Sequence, residues 1–293
     1  KGVEKGIERS SKLLMPLLFI LIVLLAICSL TLPGANKGVE FLLKPDFSKV
    51  TPDVFLGAMG QAFFSLSLGM GCLSTYASYF GKETRLVHTA ASVGLIDTFV
   101  AVLAGLVIFP AAFSVGIQPD AGPALIFITL PNVFQQAFSA VPILATVCSV
   151  LFYVLLALAA LTSTISLHEV STAFLHEKFH FTRVKAARLI TAGSLLIGIV
   201  SSLALGDWSE YTVAGMNLFD ALDFLTAKIM LPFGGLFAAI FVGWVIDRNL
   251  VKNEVTNYGT LKAPFYPLYI FVLRFVAPIG ITLIFINELG LLG

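Results

Sequence analysis

The stretch Phe63-Phe64-Ser65-Leu66-Ser67-Leu68-Gly69-Met70-Gly71 sets two hydroxyls and two glycines inside an apolar run that resumes from Cys72 to Phe80. Helix formers precede it, and Gly69 and Gly71 then supply backbone freedom that the middle of a helix does not need. A lipid-exposed helix cannot break, because each unpaired backbone group in hydrocarbon costs several kcal/mol. A break is tolerated where the freed carbonyls line a cavity and bind something polar. With Ser65 and Ser67 beside it, the stretch reads as a helix built to break around a polar cargo at membrane depth.

Asp97 is a second candidate, in Ser92-Val93-Gly94-Leu95-Ile96-Asp97-Thr98-Phe99-Val100, with no Lys or Arg a turn away. An ionisable residue inside a span needs a partner that offsets its cost. This carboxyl is protonated and hydrogen-bonded between helices, paired with a distant group, or bound to a cation, and Ser65 offers such a cation a second hard oxygen. Ala159, Thr162 and Ser163 share one helix face by their three- and four-residue spacing. Two hydroxyls beside a carbonyl suit a hard monovalent cation, while small hydroxylated residues also pack membrane helices together. His176-Glu177-Lys178-Phe179-His180 matches H-E-x-x-H, in which two histidines hold zinc and the glutamate is the general base. A zinc protease needs a third ligand as well, for which Asp247 is the acid at similar depth. Asp220 and Asp223 stand where a helix opens, placed to gate a vestibule or to cap the helix start.

The elements that hold these residues follow from composition. The chain is 58% hydrophobic and 12% charged, outside the range of a soluble domain. Seven apolar stretches exceed or approach the roughly 20 residues a bilayer span requires: 13–32, 54–80, 87–115, 141–175, 186–205, 217–246 and 266–291. Short polar loops join them, so residues 1–293 read as a single transmembrane domain. With the N-terminus in the cytoplasm, the cytoplasmic segments hold Lys1, Lys5, Arg9, Lys12, Lys82, Arg85, Lys178, Arg183, Lys185, Arg188, Arg248, Lys252 and Lys262. The opposite side holds Lys37, Lys44 and Lys49, and Lys228 and Arg274 fall within spans. The positive-inside rule therefore puts the N-terminus in and the C-terminus out. The basic residues report topology and not nucleic-acid binding. Cys28, Cys72 and Cys148 lie in apolar stretches without metal-ligand spacing and read as packing residues. No Walker A pattern appears, so the sequence shows no ATP-driven motor. The chain begins at Lys1 without a signal peptide or initiator Met and reads as the later part of a longer protein.

Several motifs resemble the neurotransmitter:sodium symporter family, in particular its bacterial amino-acid transporters. They are Gly6-Ile7-Glu8-Arg9, Leu32-Pro33-Gly34, Pro45-Asp46-Phe47, Gly60-Gln61-Ala62-Phe63-Phe64-Ser65-Leu66-Ser67-Leu68-Gly69, Thr75-Tyr76-Ala77-Ser78-Tyr79 and Gly122-Pro123-Ala124-Leu125-Ile126-Phe127-Ile128-Thr129-Leu130-Pro131. The resemblance covers nearly the whole chain. It implies an all-α membrane protein, an inverted-repeat bundle of the leucine-transporter type with a broken helix at its binding site. The seven spans would be the family's helices five to eleven: the end of the first repeat, the complete second repeat and one further helix. Helices one to four would be missing partners, taking half of each binding site with them.

What the resemblance implies for function is sodium-coupled symport of an amino acid across the bacterial cytoplasmic membrane, by a secondary transporter and not an enzyme. Ser65 and Asp97 match the family's first sodium site, and Ala159, Thr162 and Ser163 its second. Phe64, Ser67, Met70, Leu73, Ser163 and Leu167 match the pocket around the substrate side chain, with Ser65 and Gly69 beside it. Asp223 looks like the outer-gate acid, Glu177 like the inner-gate acid and Tyr79 like the inner-gate tyrosine. Gly6 and Pro16 resemble a Gly-x9-Pro pattern at which helix five unwinds. Many relatives have Asn where this chain has Asp97, and chloride-dependent ones have Ser where it has Ala101, so chloride-independent transport is expected. Met70 replaces an aromatic residue of a leucine-selective relative, and its flexible thioether suits larger hydrophobic or aromatic amino acids. A proton-coupled carrier, in which Asp97 titrates, and the zinc protease at His176 and His180 are the alternatives.

Overall fold

Apolar segments satisfy their backbone in a membrane as helices, and helix dominates the computed structural model, which describes residues 9–81, 83–116, 134–136, 138–139 and 141–291. Lys1, Lys5, Gly6 to Glu8, Lys82 and the motif at 122–131 lie outside the described residues. In chain order come α1 (Arg9–Leu30), α2 (Ala35–Leu43), α3 (Pro52–Ser65), α4 (Cys72–Ala77), α5 (Leu86–Ser114), α6 (Pro142–Phe179) and α7 (Arg183–Ala204). After a hairpin of β1 (Thr212–Val213) and β2 (Met216–Asn217) follow α8 (Leu218–Val245), α9 (Arg248–Val255) and α10 (Tyr266–Glu288). Six helices among the described residues are long and apolar enough to cross a membrane: α1, α5, α6, α7, α8 and α10. The seventh expected span, 54–80, is present as α3 and α4, because the backbone ladder is interrupted between Ser65 and Cys72. Pro16 lies within α1, which runs through it unbroken.

Among the described residues, two helices contain wide, π-helical turns. α8 contains π-helical stretches at Phe224–Met230 and Phe241–Val245, and α10 contains one at Val272–Val276. The hairpin before α8 turns through Ala214 and Gly215, both at positive φ (52° and 82°), the pairing that matches the twist of a two-residue hairpin.

The chain divides into two compact units, one of residues 1–47 and 95–165, the other of residues 48–94 and 166–293. The first is built around Leu25, Val107, Ala111, Phe134, Cys148 and Phe152. Here Ser29, almost fully buried, donates to the Val107 carbonyl at 2.8 Å, and Gly38 lies close against the Phe109-Pro110 backbone. The second unit has its core where α3, α8 and α10 meet, at Phe63, Leu231, Ala239, Ile281 and Ile284.

Candidate functional site

α3 begins with Thr51, whose Oγ1 accepts from the Val54 N–H at 3.3 Å, and with Pro52 in its first turn, where a missing N–H costs nothing. Its end explains the break. Ser67 takes the left-handed conformation (φ 54°), its N–H donates to the Phe64 carbonyl at 2.9 Å, and the Leu68 N–H donates to the Phe63 carbonyl at 3.1 Å. These two bonds are the closing pair of a Schellman motif, whose left-handed position usually holds glycine. A serine there carries strain of about 1–2 kcal/mol. Gly69 (φ 84°) and Gly71 (φ 81°) then turn the chain into α4, whose first N–H groups receive no side-chain cap. The glycines singled out in the sequence are therefore the second and third left-handed residues of the break, and Ser67 is the first.

Of the expected substrate residues, Phe64, Ser65, Ser67, Gly69, Met70 and Leu73 are brought together by the break within the second unit, and Leu167 of α6 belongs to the same unit. Met70 is half-buried and packs against the cluster of Phe63, Leu231 and Ile281, while Phe64 and Leu73 are exposed. Gly60, Gln61, Phe64, Lys228 and Glu288 line a cavity of about 210 Å³ within that unit. Lys228 Nζ stands 3.5 Å from Glu288 Oε2, so this intramembrane lysine pairs across α8 and α10.

Asp97, Ala159, Thr162 and Ser163 belong to the first unit. Asp97 is half-buried on α5. On α6 the Thr162 hydroxyl donates to the Ala159 carbonyl at 2.8 Å, which draws two expected sodium ligands together on one face.

Tyr79 is placed by an arrangement that sequence reasoning missed. Tyr76 donates to Ser166 Oγ at 2.8 Å and Tyr79 donates to Glu169 Oε1 at 2.7 Å, so two tyrosines three residues apart clasp two α6 residues three apart. Arg183, at the start of α7, donates to the same carboxylate oxygen of Glu169. Glu169 is buried, at 7% exposure, whereas Glu177 is exposed two turns further on. The signal for Glu169 was available: it is a carboxylate inside a span, the criterion that singles out Asp97. His176 Nδ1 is 2.7 Å from the Phe181 carbonyl, and among the described residues no three His, Cys, Asp or Glu side chains group to hold a metal.

At the opening of α8, Asn217 Oδ1 accepts from the Asp220 N–H at 2.8 Å and its Nδ2 donates to Asp220 Oδ2 at 2.7 Å. Asp220 is thus part of a reciprocal helix cap, and Asp223, one turn on, is exposed.

Comparison with known proteins supplies the family. The chain is 43% identical over 291 residues to a protein of Haemophilus influenzae described as an uncharacterized sodium-dependent transporter, covering 99% of this chain and 62% of the relative. A second such protein, YhdH of Bacillus subtilis, is 40% identical over 100% of this chain and 64% of its own length. The human sodium- and chloride-dependent creatine transporter 1 is 27% identical over 86% of this chain and 41% of its own. Among solved structures, the crystal structure of MhsT in complex with L-phenylalanine matches at a TM-score of 0.84 and 43% identity, over 98% of this chain and 64% of that one. The chain thus spans less than two thirds of the length of these relatives. Its fold is the all-α, leucine-transporter-type fold of a multi-pass integral membrane protein. The family model for sodium:neurotransmitter symporters matches residues 2–291, and the chain belongs to that family.

Proposed function

We propose that the protein to which this chain contributes is a sodium-coupled symporter of a larger hydrophobic or aromatic amino acid that works without chloride. The observation that carries this reading is the break at 66–71, which ends α3 at a left-handed serine and opens α4 at an uncapped glycine. Carbonyls at the C-terminal end of α3 attract cations, including a substrate ammonium. Phe64, Ser65, Ser67, Gly69, Met70, Leu73, Ser163 and Leu167 are assigned to the substrate. Ser65 and Asp97 are assigned to one sodium ion, and Ala159, Thr162 and Ser163 to another. The phenylalanine named with the related MhsT supports an amino-acid cargo, and Asp97, carrying its own negative charge, replaces chloride.

In this reading, residues 1–293 are one transmembrane domain of a larger bundle in a bacterial cytoplasmic membrane, with the N-terminus in the cytoplasm. Cargo binding closes the side at Asp223, and sodium release past Thr162 and Ser163 opens the side at Tyr79 and Glu177. Downhill sodium entry drives the cycle.

Uptake of labelled amino acids by the full-length parent in proteoliposomes tests it, under an inward sodium or choline gradient, with and without chloride. The expected result is uptake that needs sodium, ignores chloride, favours phenylalanine over alanine and is lost in Asp97→Ala. Uptake that persists in choline and follows a pH gradient overturns the sodium assignment and makes Asp97 a proton site.

A further inference from the structure

The break meets a neighbouring helix closely, backbone against backbone at Gly69 and backbone against a ring at Phe63. A Cβ built on Gly69 would collide with the Leu231 carbonyl oxygen of α8. A Cβ on Gly234 would lie 2.5 Å from the Gly69 carbonyl oxygen, and one on Gly235 would run into the Phe63 ring. Real Cβ atoms do not approach so closely, so three glycines on two elements permit a contact that no other residue allows. Phe63 is the residue whose carbonyl receives the closing bond of α3 from Leu68. Met70, one residue past Gly69, packs into the core that Leu231 shares with α10. The Gly234-Gly235 pair therefore sets how near the break comes to α8, and with it how deep Met70 sits.

We propose that Gly234 and Gly235 are positioning residues for substrate binding: they form a shelf on α8 that fixes the break from Ser67 to Gly71 and the depth of the Met70 side chain, and so tune substrate affinity and size preference. This rests on the reading of the break as the substrate site. A methyl at 234 meets backbone and must displace the break. A methyl at 235 meets the end of a side chain, and shortening that side chain removes the conflict.

The test uses the full-length parent in proteoliposomes with Gly234→Ala, Gly235→Ala, Gly235→Ala/Phe63→Leu and, as a control, Gly193→Ala, whose added methyl meets nothing within 4 Å. Displacing a binding group by a fraction of an ångström is expected to raise KM on the order of ten-fold in Gly234→Ala and Gly235→Ala, with Vmax changed far less. The ratio of phenylalanine to alanine uptake should shift with it. Phe63→Leu should restore KM in the Gly235→Ala background, an outcome that a general loss of packing does not give. KM values close to the parent in both single variants, or failure of Phe63→Leu to restore KM, overturn the shelf. Should Gly234→Ala not fold, the Gly235→Ala and Phe63→Leu pair decides alone.

A second readout needs no substrate. With every other cysteine replaced, alkylation of Cys72, the residue after Gly71, is expected to change several-fold in Gly234→Ala and to stay at the parental rate in Gly193→Ala. An unchanged rate in Gly234→Ala overturns the shelf even if the parent moves no amino acid, a result that would separately overturn the proposed function.

Discussion

Glu169 gathers two donors, Tyr79 and Arg183, on one oxygen of a buried carboxylate. Removing one partner of such a pair strands a charge. Glu169→Gln is expected to cost about 2–3 kcal/mol, below the 3–5 of a fully buried pair because the Arg183 side chain is 34% exposed. Arg183→Gln should cost a similar amount, and the double variant clearly less than the sum, as read by thermal unfolding of the full-length protein in detergent. Tyr79→Phe, which removes a single neutral donor, should cost about 1 kcal/mol. At this scale the sequence was only partly legible. Asp97, Thr162 and Ser163 stand out because polar groups are rare in apolar runs, and the Thr162 bond to Ala159 follows from helical spacing. Glu169 and the left-handed conformation of Ser67 escaped. The partners of Glu169 lie 90 residues before it and 14 after it, separations that no local pattern encodes. The left-handed serine escaped because glycine two positions later was the more obvious residue for that conformation.

At the scale of elements, length and composition were sufficient for the spans, and the ends of the six continuous helices fall within a few residues of the expected stretches. The π-helical stretches were not legible, since widening a turn leaves hydrophobic content unchanged. They matter because two of them face each other. Arg274, in the stretch of α10, donates through Nε to the Gly243 carbonyl in the second stretch of α8. Trp244 returns a bond through Nε1 to the Arg274 carbonyl at 3.3 Å, and the guanidinium carbon lies 5.1 Å from the Trp244 ring. Each side chain thus serves a carbonyl in the other helix's wide turn. Arg274→Lys retains the charge but loses the planar donor and its stacking, so it is expected to destabilise by about 1–3 kcal/mol in thermal unfolding. If the interaction were charge alone, Lys would behave as the parent.

For the whole molecule, the distribution of Lys and Arg predicts an orientation that can be checked without any transport assay. A single cysteine placed at Ala214, in the hairpin turn before α8, is expected to react with a membrane-impermeant maleimide on intact cells. One placed at Asn257, after α9, should react only after permeabilisation. The reverse pattern would invert the assignment of Asp223 and Tyr79 to outer and inner sides. The family was legible because its motifs are local strings such as Gly60 to Gly69. The division into two units was not, because α5 and α6 each pass from one unit to the other without any change in composition at the boundary. The wide turns of α8 and α10 have one more consequence, an evolutionary one. An i to i+5 turn encloses one residue more than an α-turn, so losing a single residue there returns the helix to ordinary winding and shifts its far end by only about 1.5 Å. The residues beyond would keep their faces, because the wide turn is what absorbs the extra residue, but Trp244 and Arg274, which sit within these turns, would lose the positions from which they reach their partners. Among the described residues, descendants of this sequence therefore have three places to shed a codon without shortening a span past the bilayer, but two of them only by giving up the clasp between these helices.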